Sequence, residues 1–310
     1  MRLGIDIGGT KIEAAALGAD GAVLRRQRLP TPAGDYAGII ATIRTLVEDA
    51  EAALGRADSV GLGIPGMLAP ATGLVKNANS TCLIGRPFDR DLAAALGRPV
   101  RLANDANCFA LSEAVDGAAR GARVVFGVIL GTGVGGGIVV DGRVLTGPNA
   151  IAGEWGHSPL PWPCDDERPG ALCYCGKYGC TETFLSGAGL SRAYEASGGT
   201  PDEAVAIVAR AESGEAAARA ALDRYADRLA RSLATVINLL DPEIIVLGGG
   251  LGQIQELYRA VPAKWGAYVF SDTVATKLVP PRWGDSSGVR GAAWLWSERQ
   301  GEASWREPVC

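Results

Sequence analysis

Two kinds of apolar pattern occur along this chain: short continuous apolar runs, and longer segments with apolar residues at helical spacing. Short apolar runs that end in glycine, such as SVGLGIPG and EIIVLGGG, are typical of buried strands. The segment DYAGIIATIRTLVEDAEAALG instead has apolar residues three and four positions apart, which predicts an amphipathic helix. Further helices are predicted in ANCFALSEAVDGAARG, AALDRYADRLARSLATVINLL and LGQIQELYRAV. Strands that alternate with helices indicate the α/β class, with helices covering the sheet.

One pattern occurs twice. Residues 4–24 and 127–145 both read as an apolar strand, a turn of glycine and threonine, a second strand, an Asp-Gly turn and a third strand. At 310 residues the chain is also near the upper size of a single core. We therefore expect two α/β lobes that meet at a cleft. The expected bounds are a smaller lobe at 1–118, with a C-terminal helix of about 288–310 packed back on it, and a larger lobe at 119–287 with a cysteine-rich loop.

Charge and composition exclude several classes of partner. The net charge is −4, and no run of five like charges occurs, so we expect no nucleic-acid partner. No uncharged run is longer than 17 residues, fewer than the roughly 20 that a spanning helix needs, and the one at residues 124–140 contains six glycines. The N-terminus leads directly into a strand-like run without an apolar signal region. These observations predict a cytoplasmic protein without a membrane partner.

Two glycine-rich segments resemble known phosphate-binding motifs, but neither has the sequence context that its motif requires. In GGTK the threonine precedes the lysine and a strand follows, unlike in a P-loop. Gly131, Gly133 and Gly136 match the dinucleotide fingerprint, yet a hairpin follows where that fingerprint needs a helix. Two glycine-rich hairpin turns remain, with Thr10 and Thr132, and they could hold the phosphates of one nucleotide. Ordinary tight turns are the alternative.

The cysteines are unevenly distributed. Three of the seven lie in CYCGKYGC, and the chain's single histidine is His157 in GEWGH. One nitrogen and three sulfur ligands suit tetrahedral structural Zn²⁺. The spacing C-x-C-x₄-C differs from that of the usual zinc finger, so free thiols stay open as the alternative.

Five motifs in order carry a family resemblance: DIGGTK, LANDAN, GTGVGGG, GEWGH and CYCGKYGC. The chain resembles the ROK family of bacterial sugar kinases and sugar-responsive repressors from Gly4 to about Trp296. The resemblance implies the two-lobed actin-like ATPase and sugar kinase fold, which is ribonuclease H-like, with duplicated β-hairpin phosphate turns. It also implies ATP, Mg²⁺, a hexose and a structural Zn²⁺ as ligands.

The resemblance assigns roles to individual residues. Asp105 matches the general base that takes the proton of the sugar hydroxyl, although its position also suits a helix N-cap. Asp6 matches the carboxylate on the Mg²⁺ side, acting through water. The residues matched to sugar binding are Asn79, Asn104, Glu154, His157 and Glu182. Without the family, Glu182 would be read as a surface charge.

The remaining matched positions concern the nucleotide and the metal. The nucleotide positions are Gly8, Gly9, Thr10, Lys11, Gly131, Thr132, Gly133, Gly248, Gly249 and Gly250. A strand-to-helix turn without a ligand is the alternative for the last three. The zinc ligands are His157, Cys173, Cys175 and Cys180, with the second nitrogen of His157 facing the sugar.

Within the family, VKNANST and GDSSGVRGAAWLW look most like the fructokinase branch, whose members phosphorylate fructose and often mannose at the 6-hydroxyl. Trp283 departs from that branch, which usually has a histidine there. The alternatives are an N-acetylglucosamine kinase or glucokinase of the same family, and a non-catalytic sugar-responsive regulator. A repressor would need an added N-terminal DNA-binding domain, and here the first strand is expected from residue 3. Dimers are common in the family, so a homodimer is a candidate assembly.

Overall fold

The computed structural model describes residues 1–296, so residues 297–310 of the predicted C-terminal helix lie outside the described part. The elements up to residue 121 are β1 (Arg2–Ile7), β2 (Lys11–Leu17), β3 (Val23–Pro30), α1 (Tyr36–Leu54), β4 (Ser59–Ile64), β5 (Met67–Leu68), β6 (Val75–Lys76), α2 (Phe88–Leu96), β7 (Arg101–Asn104) and α3 (Asp105–Val115). The later elements are β8 (Val124–Leu130), β9 (Val134–Val140), β10 (Arg143–Val144), α4 (Thr181–Leu185), α5 (Gly187–Ala196), α6 (Ala204–Glu212), α7 (Ala216–Leu240), β11 (Ile244–Gly248), α8 (Leu257–Trp265), β12 (Lys277–Val279) and α9 (Ser287–Trp294). Over residues 1–296, no helix is both long and apolar enough to cross a lipid bilayer.

The two halves of the chain build sheets of the same order. The first sheet runs β3-β2-β1-β4-β7 and the second β10-β9-β8-β11-β12. In the first, β1 is antiparallel to β2 and parallel to β4, and in the second β8 is parallel to β11. The repeated strand-turn-strand pattern therefore produces the same supersecondary unit twice, and the predicted α/β class is confirmed.

Two compact units make up the chain. Among the described residues, the first contains 1–121, 137–152 and 282–296, and the second contains 122–136 and 153–281. This division differs from the predicted lobes 1–118 and 119–287, because residues 137–152 belong to the first unit. The reason is close packing: at Gly137 a Cβ atom would overlap the carbonyl oxygen of Ala106 in α3.

Helix α9 packs closely on the first sheet and on α3. A Cβ atom at Gly4 of β1 would overlap the carbonyl oxygen of Val289, and one at Gly291 would overlap that of Cys108. These glycines let backbone approach backbone where a side chain could not fit. The first sheet and α9 therefore form one core, in which Leu3 is fully buried.

A buried ion pair fixes a loop of the second unit to α7. The carboxylate of Glu167 accepts hydrogen bonds from Arg228 Nε at 2.7 Å and Arg231 Nη2 at 2.9 Å. Burial alone would raise the pKa of Glu167, but these two hydrogen bonds and one from the backbone N–H of Cys164 outweigh it and lower the pKa to about 2. Arg231 also donates to the carbonyl oxygen of Trp162 at 2.7 Å, so one guanidinium holds both ends of the loop.

Candidate active site

The first unit presents Asp105 as the first residue of α3, at the carboxyl end of β7. The preceding residue, Asn104, is the N-cap, and its Oδ1 accepts from the backbone N–H of Ala106 at 2.9 Å. Asp105 Oδ1 accepts from the same N–H at 2.8 Å. Although Asp105 is exposed, loss of hydration among the surrounding protein atoms raises the pKa of its carboxyl above the ordinary value. A raised pKa makes a carboxylate a stronger base, which proton transfer from a hydroxyl requires.

Asp6 on β1 lies near enough to Asp105 for the two charges to interact. Burial, followed by the negative charges of Asp105 and Glu13, raises the pKa of Asp6 to about 7, while Lys11 lowers it. Glu13 is paired with Arg26 and Arg28, which leaves Asp6 and Asp105 as two neighbouring carboxylates of the kind that Mg²⁺ prefers. The residues present therefore fit a divalent cation on the Asp6 side.

The first glycine-rich turn lies between β1 and β2. The backbone N–H of Gly8 donates to the carbonyl oxygen of Lys11 at 3.0 Å, and the hydroxyl of Thr31 donates to the carbonyl oxygen of Gly8 at 2.7 Å. Gly9, Thr10 and Lys11 are exposed at the tip, where a ligand can reach them. Asn79 is also exposed, in the loop that follows β6.

In the second unit a cavity of about 700 Å³ adjoins the other glycine-rich turn. Its size falls within the range of ligand sites for nucleotide-sized molecules. Gly131, Thr132 and Gly250, three of the predicted nucleotide residues, line it. The other lining residues were not identified from the sequence, and they include Asp202, Glu203, Val205, Val208, Glu212 and Ile254. Ile254 follows the 3-10 helix Leu251–Gln253, and the others lie on α6 or directly before it, in a segment without a glycine motif for phosphate binding.

The three glycines after β11 have separate roles. Gly249 has φ of +77°, and a Cβ atom there would overlap the carbonyl oxygen of Leu130 in β8. Gly248 ends the buried strand, so these two residues meet packing and backbone requirements. Only Gly250 of the three lines the cavity, whereas the sequence predicted nucleotide contacts for all three.

The predicted metal ligands come together in the second unit. One potential ligand atom from each of His157, Cys173, Cys175 and Cys180 lies within 4.8 Å of the others. Cys175 Sγ is 3.6 Å from Cys180 Sγ, and Cys173 Sγ is 3.5 Å from His157 Nδ1. Such spacing and a Cys₃His donor set fit tetrahedral Zn²⁺, with Nδ1 as the nitrogen ligand.

The other nitrogen of His157 also has a partner. Nε2 is hydrogen-bonded to the hydroxyl of Tyr174 at 2.8 Å. Neighbouring side chains remove part of the hydration of the phenol hydroxyl, and this loss together with the negative charges of Glu182 and Glu154 raises the pKa of Tyr174 to about 12. Tyr174, which the sequence did not single out, therefore lies among three of the residues predicted to bind sugar.

Glu182 connects the metal cluster to the second glycine-rich turn. Its Oε2 accepts from the backbone N–H of Val134 at 2.9 Å, and the thiol of Cys173 points at its Oε1 from 3.9 Å. Glu154 precedes a short 3-10 helix, Trp155–His157, which is fixed by a hydrogen bond from Trp155 Nε1 to the carbonyl oxygen of Gly135 at 3.0 Å. Glu182 is thus not an isolated surface charge.

The predicted site residues form two sets, one in each unit. Asp6, Asn104 and Asp105 are neighbours in the first, and the metal cluster, Glu182 and the cavity belong to the second. The two glycine-rich turns lie in different units, so the binding of one nucleotide by both turns stays a prediction. Trp283, the departure noted above, donates from Nε1 to Asp116 Oδ1 at 3.1 Å within the first unit.

Comparison with known proteins gives a consistent result. The model of the ROK family matches residues 2–299. Curated relatives at 39–41% identity are N-acetyl-D-glucosamine kinases, and the one from Pectobacterium atrosepticum is 41% identical over 95% of this chain and 98% of its own length.

Solved structures agree on the fold. The ROK hexokinase of Thermus thermophilus has a TM-score of 0.83 at 32% identity, covering 94% of this chain and 96% of that protein. The ROK glucokinase of Streptomyces griseus, in complex with glucose and AMPPNP, has a TM-score of 0.77 at 28% identity, covering 95% and 98% of the two chains.

The prediction of a fructokinase is wrong, because the relatives at about 40% identity are N-acetyl-D-glucosamine kinases. One basis for that prediction was the segment GDSSGVRGAAWLW, residues 284–296. In the structure this segment contains α9, whose glycine and alanine residues pack on the first sheet and on α3. Its sequence therefore reflects helix packing and carries little information about the sugar.

Proposed function

This chain belongs to the ROK family, and from that premise we propose that it is an ATP-dependent N-acetylglucosamine kinase. Identity of about 40% to such kinases over 95% of the chain is the observation that carries the choice of sugar. The position of Asp105, at the end of a strand with a raised carboxyl pKa, supports the chemistry. Cytoplasmic location and a homodimer stay predictions, and the free thiols of the metal cluster suit a reducing compartment.

The proposed reaction needs one proton transfer and one phosphoryl transfer. Asp105 accepts the proton of the sugar 6-hydroxyl, whose oxygen then forms a bond to the γ-phosphorus of ATP. The bond from that phosphorus to the bridging oxygen breaks, and ADP leaves with the bond's electron pair. The products are the sugar 6-phosphate, ADP and the proton on Asp105.

The other site residues hold the reactants. In this proposal the turn at Gly131 and Thr132 would bind the nucleotide, with Gly8–Lys11 as the second phosphate turn, and the cavity that adjoins Thr132 supports this role. Asp6 would hold Mg²⁺ through water, and this cation supplies charge neutralisation on the phosphates. Asn79, Asn104, Glu154, His157 and Glu182 are the proposed sugar ligands. A structural Zn²⁺ would fix the orientation of His157 through Nδ1.

Release of ADP by the purified protein tests this proposal. We expect turnover with Mg-ATP and N-acetylglucosamine, and much lower kcat/KM with fructose, mannose and glucose. A preference for another hexose would refute the choice of sugar but keep the reaction. No ADP release with any of these sugars would refute the kinase and favour a sugar-responsive regulator.

A further inference from the structure

The first unit contains a cavity of about 100 Å³ at the carboxyl ends of β4 and β7. Its walls are mostly apolar and include Met67, Leu68 and Leu102. An engineered cavity of about 150 Å³ holds a benzene molecule, so this space suits a smaller organic group. It is separate from the larger cavity of the second unit, which no residue of this wall lines.

One polar side chain in the wall lacks a partner. Asn107 is only 8% exposed, and its Oδ1 atom has no hydrogen bond within residues 1–296. Oxygen and nitrogen of a side-chain amide can exchange places, so this group can either accept or donate. Because a buried polar atom without a partner costs free energy, the cavity offers an amide that a ligand would satisfy.

The cavity also adjoins the proposed base. Asn104 lines it, and this residue is the N-cap that directly precedes Asp105. Asn107 follows two residues after Asp105 on the same helix. A sugar whose reacting hydroxyl lies on Asp105 therefore has other ring substituents close to this cavity.

We propose that this cavity receives the 2-acetamido group of the sugar and that Asn107 selects for it. The inference rests on the proposed function and names the substituent by which the site tells its substrate from a plain hexose. An acetamido group combines an amide, which pairs with Asn107, and a methyl group, which packs against Met67, Leu68 and Leu102. A sugar with a hydroxyl at carbon 2 leaves the apolar space unfilled and the Oδ1 atom of Asn107 unpaired.

Two variants test this assignment: one removes the polar group of the cavity and the other reduces its volume. Asn107→Leu keeps a side chain of four heavy atoms branched at Cγ and removes the amide. Leu68→Phe places a larger side chain in the wall. For each we expect KM for N-acetylglucosamine to rise about tenfold or more, with KM for glucose changed less than threefold. Binding of both sugars without ATP, measured by calorimetry, should change in the same ratio.

A matched control lies on the same helix. Ser112 of α3 is fully buried, and its hydroxyl also has no hydrogen-bond partner within the described chain, but it does not line the cavity. Ser112→Ala should leave the ratio of the two KM values unchanged. N-acetylmannosamine, an acetamido sugar of opposite configuration at carbon 2, shows whether the cavity reads the acetamido group alone or also its direction. If Asn107→Leu raises KM for both acetamido sugars, the cavity recognises the acetamido group in either configuration. If it raises KM for N-acetylglucosamine alone, the configuration at carbon 2 matters as well.

The outcomes separate this inference from the proposed function. If the wild type phosphorylates N-acetylglucosamine but Asn107→Leu weakens both sugars equally, Asn107 has a structural role and the inference fails alone. If the wild type prefers glucose, the proposed function fails, and the inference fails with it.

Discussion

The Nε2 atom of His157 lies 2.8 Å from the hydroxyl oxygen of Tyr174, and the two rings meet edge to face. The other ring nitrogen, Nδ1, faces the sulfur of Cys173, so each nitrogen has its own partner. Tyr174 is 79% exposed, and its side chain can therefore leave Nε2 without losing much packing. The phenol thus occupies the position on His157 where a sugar hydroxyl is proposed to bind.

Tyr174→Phe should strengthen sugar binding. The variant removes the hydroxyl that competes with the sugar for Nε2, and one hydrogen bond contributes about 1 kcal/mol. We expect KM for N-acetylglucosamine to fall about two- to fivefold, with zinc content by atomic absorption unchanged. A rise in KM would mean that Tyr174 itself contacts the sugar.

Asp105→Asn should abolish most of the activity without affecting the fold. Asparagine keeps the hydrogen bond from the N–H of Ala106 but cannot accept the proton, so kcat should fall about 10²- to 10⁴-fold. Calorimetry should find sugar affinity nearly unchanged. Asp35→Asn is the matched control, because Asp35 caps the exposed start of α1 and asparagine caps equally well. Substantial residual kcat in Asp105→Asn would point to another base.

Cys175→Ser should release the metal and weaken sugar binding more than catalysis. Loss of one sulfur ligand lowers zinc affinity, and His157 then loses its fixed orientation. We expect reduced zinc content, a melting temperature lower by several degrees, and a larger change in KM for the sugar than in kcat. Cys164→Ser is the control, since Cys164 is an exposed thiol outside the cluster. Full zinc content in Cys175→Ser would contradict the ligand set.

Glu167→Gln should be strongly destabilising. It leaves Arg228 buried without its counter-charge and leaves Arg231 with only the partly exposed Asp227, and breaking such a buried pair typically costs about 3–5 kcal/mol in the free energy of unfolding. Asp166→Asn on the same loop breaks only an exposed pair with Arg224 and should cost about 1 kcal/mol or less. Urea unfolding of both variants measures the difference. Equal costs would mean that the buried network does not hold the loop.

The same network predicts a pH dependence. The pKa of Glu167 is about 2 in the folded chain, below its ordinary value of 4.5, so the charged form is favoured by folding. Its contribution to stability is complete above about pH 4.5 and is lost as the pH falls towards 2. The difference in unfolding free energy between wild type and Glu167→Gln should therefore shrink between pH 5 and pH 3. A constant difference over that range would contradict the lowered pKa.

Gly291→Ala should destabilise the first unit. Its new Cβ atom would overlap the carbonyl oxygen of Cys108, and relief of such overpacking typically costs about 1–3 kcal/mol. Gly266→Ala is the same substitution at the exposed end of α8, where φ is −57° and no atom lies within 4 Å of the new Cβ. That control should be neutral or slightly stabilising. Equal melting temperatures would show that α9 can move away freely.

The sequence predicted those features that depend on local pattern or residue type. The repeated hairpin pattern predicted two related halves, and the two sheets do share one strand order. Cys173, Cys175 and Cys180 were assigned with His157 because few residue types bind zinc, and the four side chains do converge. Asp105 was predicted at the junction of a strand and a helix, where the structure places it.

Features that depend on contacts between distant segments were not predicted. The cavity beside Thr132 is closed partly by α6, whose sequence AVAIVARAE contains no motif for a ligand. The pairing of Glu167 with Arg228 and Arg231 joins positions more than 60 residues apart. Asn107 is the last residue of the LANDAN motif, and the sequence assigned it no role of its own. Only the three-dimensional structure shows that it lines a mostly apolar cavity and that its Oδ1 atom has no partner. The fructose prediction failed because it used a segment whose residues serve packing.

The position of α9 constrains how this protein is made. The helix that covers β1 and β4 comes from residues 287–294, near the end of the chain, while the strands that it covers come from the first 64 residues. During synthesis on the ribosome, the first sheet therefore stays uncovered until residues 287–294 have been translated, more than 200 residues after β4. Chains that stop early would expose Leu3 and its neighbours to water and to other nascent chains. Chaperones and quality-control proteases would accordingly encounter truncated products as molecules with an uncovered sheet.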